Sequence, residues 1–120
     1  MPGPHRQGDV WLVHFDEGWE RPAIIVSRSE LNRGHSVLVV PCTSSLVSER
    51  TRSQNHVFLP AGVGGLTKDS AAQAHLIQPV HRERLTSRLG VLEMEQLAEV
   101  LLAVAWAIDL FDAVDAQGLS

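Results

Sequence analysis

The amino-acid sequence predicts a mainly β fold, a small β-barrel with one C-terminal α-helix as its cover. Three observations support this class: short apolar runs rich in Val and Ile, turn residues such as Gly, Pro and Asn between them, and one long amphipathic segment near the end. A chain of 120 residues, 44% of them hydrophobic, suffices for one domain with its own core but not for two. Strands followed by a closing helix indicate a sheet that a helix covers on one side.

The strands are predicted from the apolar runs, and the turn residues between them set their ends. Pro22 opens the second run, at a position where a sheet tolerates proline. The segment from Gly62 to Leu66 is predicted to be a turn, because no Gly-Lys-Ser/Thr follows it as a phosphate-binding loop requires. Residues 44–53 are polar and expected to be mobile, and one helical turn is expected at 81–85. The strands are predicted at residues 9–15, from 22 onward, and at 36–42, 55–59, 70–76 and 89–92.

The helix is predicted from residue 94 to about residue 111, where apolar residues recur with the period of one helix face. Val100, Leu102 and Trp106 lie off that face, so the apolar surface is broader than packing against one sheet requires. The helix is therefore expected to contact a second surface, either more of the sheet or another subunit, and a homodimer is predicted. Glu93 and Glu95 complement the positive end of the helix dipole in the absence of a Ser/Thr/Asp/Asn cap. The predicted face consists of Leu97, Leu101, Val104, Ile108 and Phe111.

Charge is distributed unevenly over a chain of net charge −4. Residues 93–120 contain six acids and no Lys or Arg, whereas residues 1–92 contain 10 basic and 8 acidic residues and carry +2. This balance does not favour non-specific binding of nucleic acid, so any nucleic acid must be held locally. Neither a secretory signal nor a membrane span is predicted, which makes a cytoplasmic protein the expectation. The predicted organisation is a disordered tail at 1–7, one domain at 8–112 and an acidic tail at 113–120.

Two polar side chains at the ends of predicted strands define the candidate site. Arg21 enters the second strand and Thr43 leaves the third, and a guanidinium fork with a hydroxyl at one sheet edge suits an anionic oxygen such as that of a phosphate. Each has an ordinary alternative: Arg21 could pair with Glu17 or Glu20, and Thr43 could cap a turn. Cys42 is the only cysteine, so no internal disulfide is possible, and it is expected to be a core residue. The histidines show no pair at metal-ligand spacing, and no metal site is predicted.

The order of motifs along the chain resembles that of the MazF/PemK toxins of bacterial toxin–antitoxin systems, from about residue 7 to 111. The resemblance implies an SH3-like barrel, a homodimer, and sequence-selective cleavage of single-stranded RNA (mRNA) without a metal or another cofactor. The implied products are a 2′,3′-cyclic phosphate and a 5′-OH. A cognate antitoxin is also implied, with a disordered acidic segment that lies over the RNA groove. The motifs are Gly8-Asp9-Val10-Trp11-Leu12-Val13, Arg21-Pro22, Val40-Pro41-Cys42-Thr43-Ser44, Leu59-Pro60-Ala61-Gly62, Gly65-Leu66-Thr67-Lys68-Asp69-Ser70, and the C-terminal helix.

Three residues are predicted to be catalytic. The resemblance places Arg21 and Thr43 in the active site, and at a third position, where many members have an acidic residue followed by Gln, this chain has His75-Leu76. Arg21 suits the stabilisation of charge on the phosphoryl oxygens, and Thr43 suits a hydrogen bond to one of them. His75 suits proton transfer, because an imidazole exchanges protons near neutral pH. The alternative for His75 is a satisfied core histidine.

Six further residues are predicted to bind RNA. Trp19 could stack on an unpaired base or anchor its loop, while Arg50 and Arg52 could follow the RNA backbone or be solvated charges. The presence of His75 in place of an acid keeps a rival function open, a non-catalytic barrel of the same fold that binds DNA gyrase. A plain adaptor barrel would require the motif matches to be accidental. The predicted RNA-binding residues are Trp19, Glu20, Ser44, Arg50, Arg52 and Gln73.

Overall fold

The computed structural model of the chain describes residues 5–16, 18–110 and 112. Predictions that concern Glu17, Phe111, most of the N-terminal tail and the acidic tail lie outside the described residues. Seven β-strands and two α-helices follow one another along the described chain, with 3₁₀ turns between several of them. They are β1 Asp9–His14, β2 Glu20–Ile25, β3 Ser36–Thr43, α1 Val47–Arg50, β4 His56–Leu59, β5 Ser70–Gln73, β6 Gln78–His81, β7 Leu85–Val91 and α2 Met94–Ala107.

The strands form an antiparallel sheet in the order β4-β5-β3-β2-β1-β7. β3 is the longest strand, and two strands share one of its edges: β6 pairs with its first half, from Ser36 to Val39, and β5 pairs with its end, at Cys42 and Thr43. Among the described residues no pairing joins β7 to β4 or β6, so the sheet is open rather than a closed barrel. The predicted fold class, mainly β with a C-terminal helix, is otherwise confirmed.

The sheet is apolar on both faces, which explains why its strands read as continuous apolar runs. Successive side chains of a strand point to opposite faces, so each strand contributes to two cores. α2 covers the first core, and β6 and β7 enclose the second. The first core includes Val10, Ile24, Val40, Val57, Leu97 and Val100. The second core includes Val13, Ala23, Ile25, Val39, Val80 and Leu85.

α2 begins with a capping box, in which the Gln96 side chain accepts a hydrogen bond from the backbone N–H of Glu93 at 3.0 Å and the Glu93 carboxylate accepts one from the backbone N–H of Gln96. Glu93 is thus the N-cap of α2, and its carboxylate satisfies a backbone N–H of the first turn in place of a Ser, Thr, Asp or Asn side chain. The fully or nearly buried residues of the helix are Leu97, Val100 and Ala103. None of the described helices is long and apolar enough to cross a membrane.

The apolar face of α2 differs from the predicted one. Val100 is fully buried, although the prediction placed it off the stripe, and Ile108 is exposed, although the prediction placed it on the stripe. Leu102 and Trp106 also remain exposed, at 58% and 51%. The helix therefore buries one narrow face against the sheet and leaves a second apolar face uncovered by the described residues.

A glycine turn lies directly against β7. Gly64 and Gly65, in the 3₁₀ turn Val63–Gly65, have positive φ angles of 59° and 77°. A Cβ atom on Gly65 would lie 2.0 Å from the carbonyl oxygen of Leu89, and one on Gly90 would lie 2.7 Å from the backbone of Gly64. Only residues without a side chain allow two backbones to approach this closely. The predicted turn is confirmed, and its glycines serve packing.

Three strands differ from their predicted limits. β2 begins at Glu20, so Pro22 is its third residue. β5 ends at Gln73, and the 3₁₀ turn Ala74–Leu76 redirects the chain towards the other half of β3. β7 takes the place of the predicted edge strand and begins earlier than predicted. The sequence does not predict its first half, because those residues are mostly polar and exposed and give no apolar signal.

The sequence does not predict β6, whose Pro79 is a poor strand residue. β6 pairs with β3 on one side only, and such an edge position accepts proline. The loop expected to be mobile contains the short helix α1. Within the predicted disordered tail, residues 5–7 lie against the sheet: His5 is buried, and the Gln7 side chain donates to the carbonyl of Val26 at 2.8 Å.

Candidate active site

The register of β2 against β3 places Arg21 opposite Thr43. Ala23 pairs with Pro41, and the same antiparallel register continued by two residues brings Arg21 opposite Thr43. Opposite residues on antiparallel strands project from the same face of the sheet. Both side chains therefore lie on the face of the second core, beyond the end of its apolar cluster.

β4 and β5 bring two more polar side chains to the same face. Thr43 pairs with Ala71, so Gln73, two residues further on, has the same orientation, and His56 pairs with Gln73. β6 and β7 enclose only the other end of this face. The polar end of the face is consequently left open.

An open cleft of about 440 Å³ occupies this end of the sheet. Its walls come from the starts and ends of β2, β3 and β5 and from α1 with the loop before it. The predicted site residues on its wall are Trp19, Glu20, Arg21, Thr43, Ser44, Arg50 and Gln73. Two predicted site residues, His75 and Arg52, are not among the residues that line it.

Arg21 is held in the cleft by uncharged acceptors. Its Nη2 donates to Oε1 of Gln73 at 2.7 Å and to the carbonyl oxygen of Cys42 at 3.4 Å. The alternative that Arg21 pairs with Glu20 is wrong, because the Glu20 carboxylate accepts a hydrogen bond from the Thr86 hydroxyl instead. Within the described residues Arg21 makes no ion pair, so its positive charge remains available to an anionic ligand.

Thr43 and Arg50 shape the loop on the opposite wall. Thr43 Oγ1 accepts a hydrogen bond from the backbone N–H of Ser45 at 3.2 Å, which is the turn-capping alternative considered for this residue. An oxygen that accepts in this way keeps its own hydroxyl hydrogen free to donate. Arg50 Nε donates to the carbonyl of Ser45 at 2.9 Å, and this bond directs a second guanidinium to the cleft.

Cys42 contributes its backbone to the site and not its thiol. The side chain is 1% exposed, and burial raises the pKa of its thiol to about 12 despite the nearby charge of Arg21. A thiol with this pKa is protonated at neutral pH and is a poor nucleophile. The prediction that Cys42 is a core residue is confirmed.

Trp19 projects into solvent at the mouth of the cleft, with 61% of its surface exposed. The backbone carbonyl of Trp19 accepts from the N–H of Phe15 at 3.2 Å, so the loop is closed by its backbone rather than by a buried indole. Ser44 is exposed on the wall, and Arg52 is exposed outside it. An exposed indole beside cationic groups suits stacking on an unpaired base.

His75 lies at the rim of the cleft, in the turn that follows Gln73. It is exposed, which excludes the alternative of a core histidine, and its neighbour Leu76 is on the cleft wall. Nδ1 of His75 lies 2.6 Å from Nδ2 of Asn55. The His56 ring packs against the His75 ring in a T-shaped arrangement, with centroids 5.1 Å apart.

Sequence reasoning missed Asn55 and His56 as parts of the site. The signal that could reveal them is the pairing of β4 with β5, which sets His56 opposite Gln73, but a single strand sequence does not contain its register. Burial, followed by the charges of His75 and Arg50, lowers the pKa of His56. His56 is therefore neutral at neutral pH.

The site has the chemistry of a nucleic-acid phosphate site. It combines a braced guanidinium, a hydroxyl donor, a second arginine and an exposed indole, which suit a phosphate with unpaired bases on either side. The described residues contain no cluster of three or more His, Cys, Asp or Glu side chains that could hold a metal ion. Fold and site together define a small open-sheet protein with a C-terminal helix and an open cleft that carries two guanidinium groups.

Comparison with known proteins identifies the family. The model of the PemK-like, MazF-like toxins of type II toxin–antitoxin systems matches residues 6–108. The chain therefore belongs to the PemK/MazF family, as the order of its motifs predicts.

Individual relatives are similar over nearly their whole length. The chain is 31% identical over 118 residues to endoribonuclease MazF9 of Mycobacterium tuberculosis, an alignment that covers 88% of this chain and 98% of the relative. It is 23% identical over 113 residues to endoribonuclease EndoA of Bacillus subtilis, covering 89% and 97%. It also superposes on a mycobacterial endoribonuclease solved in complex with its cognate antitoxin, with a TM-score of 0.76, 23% identity, and coverage of 90% and 97%.

Proposed function

We propose that this chain is a toxin that acts as an endoribonuclease, cleaving single-stranded RNA, and messenger RNA above all, at selected sequences without a metal ion. The observation that supports this most strongly is the shared cleft of Arg21 and Thr43, in which Arg21 is braced by Gln73 and pairs with no carboxylate of the described residues. Two relatives named as endoribonucleases support the same activity. The proposed compartment is the cytoplasm, where messenger RNA is translated.

The proposed reaction is an internal transfer at phosphorus. The 2′-oxygen attacks the phosphorus atom, the P–O5′ bond breaks, and the products are a 2′,3′-cyclic phosphate and a 5′-OH. One proton leaves the 2′-hydroxyl and one reaches the 5′-oxygen, while negative charge grows on the non-bridging oxygens. Arg21 and the Thr43 hydroxyl are proposed to stabilise that charge, because a guanidinium is permanently charged and a hydroxyl can donate a hydrogen bond. His75 is proposed to move protons.

The remaining side chains of the cleft are proposed to hold the RNA on either side of the scissile phosphate. Trp19 stacks on a base, and Arg50 contacts a neighbouring phosphate with the nitrogens that its bond to Ser45 leaves free. Ser44 offers a hydroxyl donor. Arg52, outside the cleft, would contact a phosphate further along the strand. Gln73 acts chiefly by bracing Arg21.

A substrate with one missing oxygen tests the reaction. We expect the purified protein to cleave an RNA oligonucleotide equally with and without EDTA, and to leave intact the same oligonucleotide with 2′-deoxyribose on the 5′ side of the cut. The reason is that the attacking 2′-oxygen is absent. Gel electrophoresis and mapping of the 5′-OH ends measure the result. Cleavage of the deoxy-substituted strand contradicts the mechanism, and intact RNA together with capture of DNA gyrase would favour the non-catalytic alternative.

The proposed partner is a cognate antitoxin whose acidic, disordered segment lies over the cleft. A carboxylate-rich segment is complementary to the guanidinium groups of Arg21 and Arg50 and would compete with RNA phosphates for them. A structural neighbour of the same fold was solved in complex with its cognate antitoxin, which supports an antitoxin as the partner.

The chain is also proposed to form a homodimer through the exposed apolar face of α2. Leu102 and Trp106 stand one helical turn apart beside Val57, where a shallow groove runs between α2 and β4. We expect the double substitution Leu102→Glu with Trp106→Glu to yield a monomer, because two charges would have to be buried unpaired in the interface. Light scattering measures the mass. The matched control is Leu31→Glu, an exposed leucine elsewhere, which should remain dimeric, and a monomeric wild-type protein at micromolar concentration contradicts the proposal.

A further inference from the structure

Asn55 holds the turn that carries His75 through two contacts. Its side-chain Nδ2 lies 2.6 Å from Nδ1 of His75, and its backbone carbonyl accepts from the N–H of Ala74 at 2.9 Å. Together these contacts fix the path of the turn and the rotation of the imidazole. In the described part of the chain no protein group bonds to Nε2 of His75, so this nitrogen is available to a ligand.

His56 supports the imidazole from its other side without competing for its protons. The two rings meet in a T-shaped contact at 5.1 Å, and neither ring nitrogen of His56 has a hydrogen-bond partner among the described residues. Burial of both ring nitrogens without a partner disfavours the charged form of His56, because the imidazolium loses its hydration and gains no hydrogen bond among the described residues. His56 therefore confines the His75 ring sterically, which leaves Asn55 as its hydrogen-bonding neighbour.

We propose that Asn55 is a positioning residue for His75: its side-chain amide selects the ring nitrogen that carries the proton, and it keeps Nε2 free to meet RNA at the rim of the cleft. This inference rests on the proposed function, because it deepens the role of His75 in that reaction. His75 touches the RNA, and Asn55 acts through His75.

Asn55 can select the tautomer of His75 because its side-chain amide has a hydrogen-bond donor, Nδ2, and an acceptor, Oδ1. When Nδ2 of Asn55 donates to Nδ1, the proton of neutral His75 must be on Nε2. An imidazolium carries protons on both nitrogens, so the amide then turns its oxygen towards Nδ1 to accept. In that state the Nε2 proton passes to the 5′-oxygen as the P–O5′ bond breaks, and the Nδ1 proton stays hydrogen-bonded to the Asn55 oxygen in a transient neutral state that differs from the resting tautomer. The 2′-hydroxyl proton goes to water, and water returns one to Nε2 before the next turnover.

The charged groups of the neighbouring cleft and the neutral His56 explain why an amide suits this position. Arg50 on α1 and Arg21 on β2 are positive, and His56 on β4 is neutral. The carboxylate of the cleft wall, Glu20, is bonded to the Thr86 hydroxyl. A carboxylate in place of Asn55 would favour the charged imidazole permanently, whereas an amide lets the phosphate of an arriving RNA favour it.

Nitrogen-15 NMR of the imidazoles tests the proposal without any substrate. In the wild-type protein we expect neutral His75 to be a single tautomer with its proton on Nε2. In Asn55→Asp the His75 titration should move to higher pH than in the wild-type protein, because a carboxylate favours the charged imidazole, and in Asn55→Leu the neutral form should become a mixture of tautomers. Ser53→Ala, which removes an exposed hydroxyl two residues away, should change neither. A tautomer mixture in the wild-type protein, or an unmoved midpoint in Asn55→Asp, would overturn the proposal.

Cleavage kinetics provide the second readout. Asn55→Leu should lower kcat about tenfold with little change in KM, which is the effect of one lost hydrogen bond that orients rather than binds. In Asn55→Asp one limb of the pH–rate profile should move with the NMR midpoint. A kcat in Asn55→Leu equal to that of Ser53→Ala contradicts the positioning role, and so does a pH–rate limb that does not move with the NMR midpoint. If the wild-type protein cleaves no RNA, the proposed function fails, and the NMR result alone decides the contact between Asn55 and His75.

Discussion

Replacing Arg21 with alanine is expected to lower the rate of RNA cleavage by about 10²–10³-fold, the usual effect of removing one charge-stabilising donor from an active site. The guanidinium is braced by Gln73 and carries no ion pair within the described residues, so its charge is available to the phosphoryl oxygens. Single-turnover cleavage of an RNA oligonucleotide measures the loss. Arg21→Lys should recover only part of the rate, because an ammonium keeps the charge but not the two-pronged geometry.

The fold should tolerate this change. Loss of the bond to Gln73 at an open cleft is worth about 1 kcal/mol, which corresponds to a change in Tm of about 4 °C for a domain of this size. Arg28→Ala is the matched control, since Arg28 is an exposed arginine outside the cleft and its removal should leave the rate unchanged. Equal rates for Arg21→Ala and Arg28→Ala would rule out the assigned role of Arg21.

Gly65→Ala should cause the largest loss of stability, on the order of 4 kcal/mol or more. The new Cβ would lie 2.0 Å from the Leu89 carbonyl oxygen, and the φ angle of 77° is already unfavourable for any residue with a side chain. The turn and β7 would have to separate, which would open the first core. Urea denaturation followed by circular dichroism measures the free energy of unfolding.

Alanine substitutions at two other glycines should cause smaller losses of stability than Gly65→Ala. At Gly62 the φ angle is 97° but the space is open, so Gly62→Ala should cost about 1 kcal/mol from backbone strain alone. At Gly34 the φ angle is −74° and the nearest atom lies at 3.5 Å, so Gly34→Ala should change stability by about 0.5 kcal/mol or less. A Gly65→Ala protein as stable as Gly34→Ala would show that the close approach to β7 is not required.

The sequence predicts the elements whose own residues determine them. β1, β3 and β4 are found within one residue of their predicted limits because each is an apolar run bounded by turn residues. β6 depends on its partner strand: Gln78–His81 is a strand because it pairs with the edge of β3 between Ser36 and Val39. The buried face of α2 is displaced because Val100 meets the sheet, while Ile108 lies beyond the last helical residue.

The candidate site also has a part that the local sequence predicts and a part that depends on strand pairing. Arg21 and Thr43 are predicted from the residues beside them, and the structure sets both on one cleft. Their roles, like that of His75, remain predictions. The brace from Gln73 and the support of His75 by Asn55 depend on how β4, β5 and β3 pair, which no single segment records. Long-range register is the information that a local reading of the chain lacks.

The packing of β5 determines which residues of the cleft can vary without loss of stability. Ser70, Ala71 and Ala72 are small and buried between β3 and β4, so a larger side chain there would push the two strands apart and displace Gln73 from Arg21. The wall that carries Gln73 is therefore closed to variation, whereas the exposed Trp19, Glu20, Ser44 and Ser45 on the cleft wall are free to change. Under the proposed function, exchange of these short loops between relatives is expected to change the RNA sequence that is cut while the reaction stays the same.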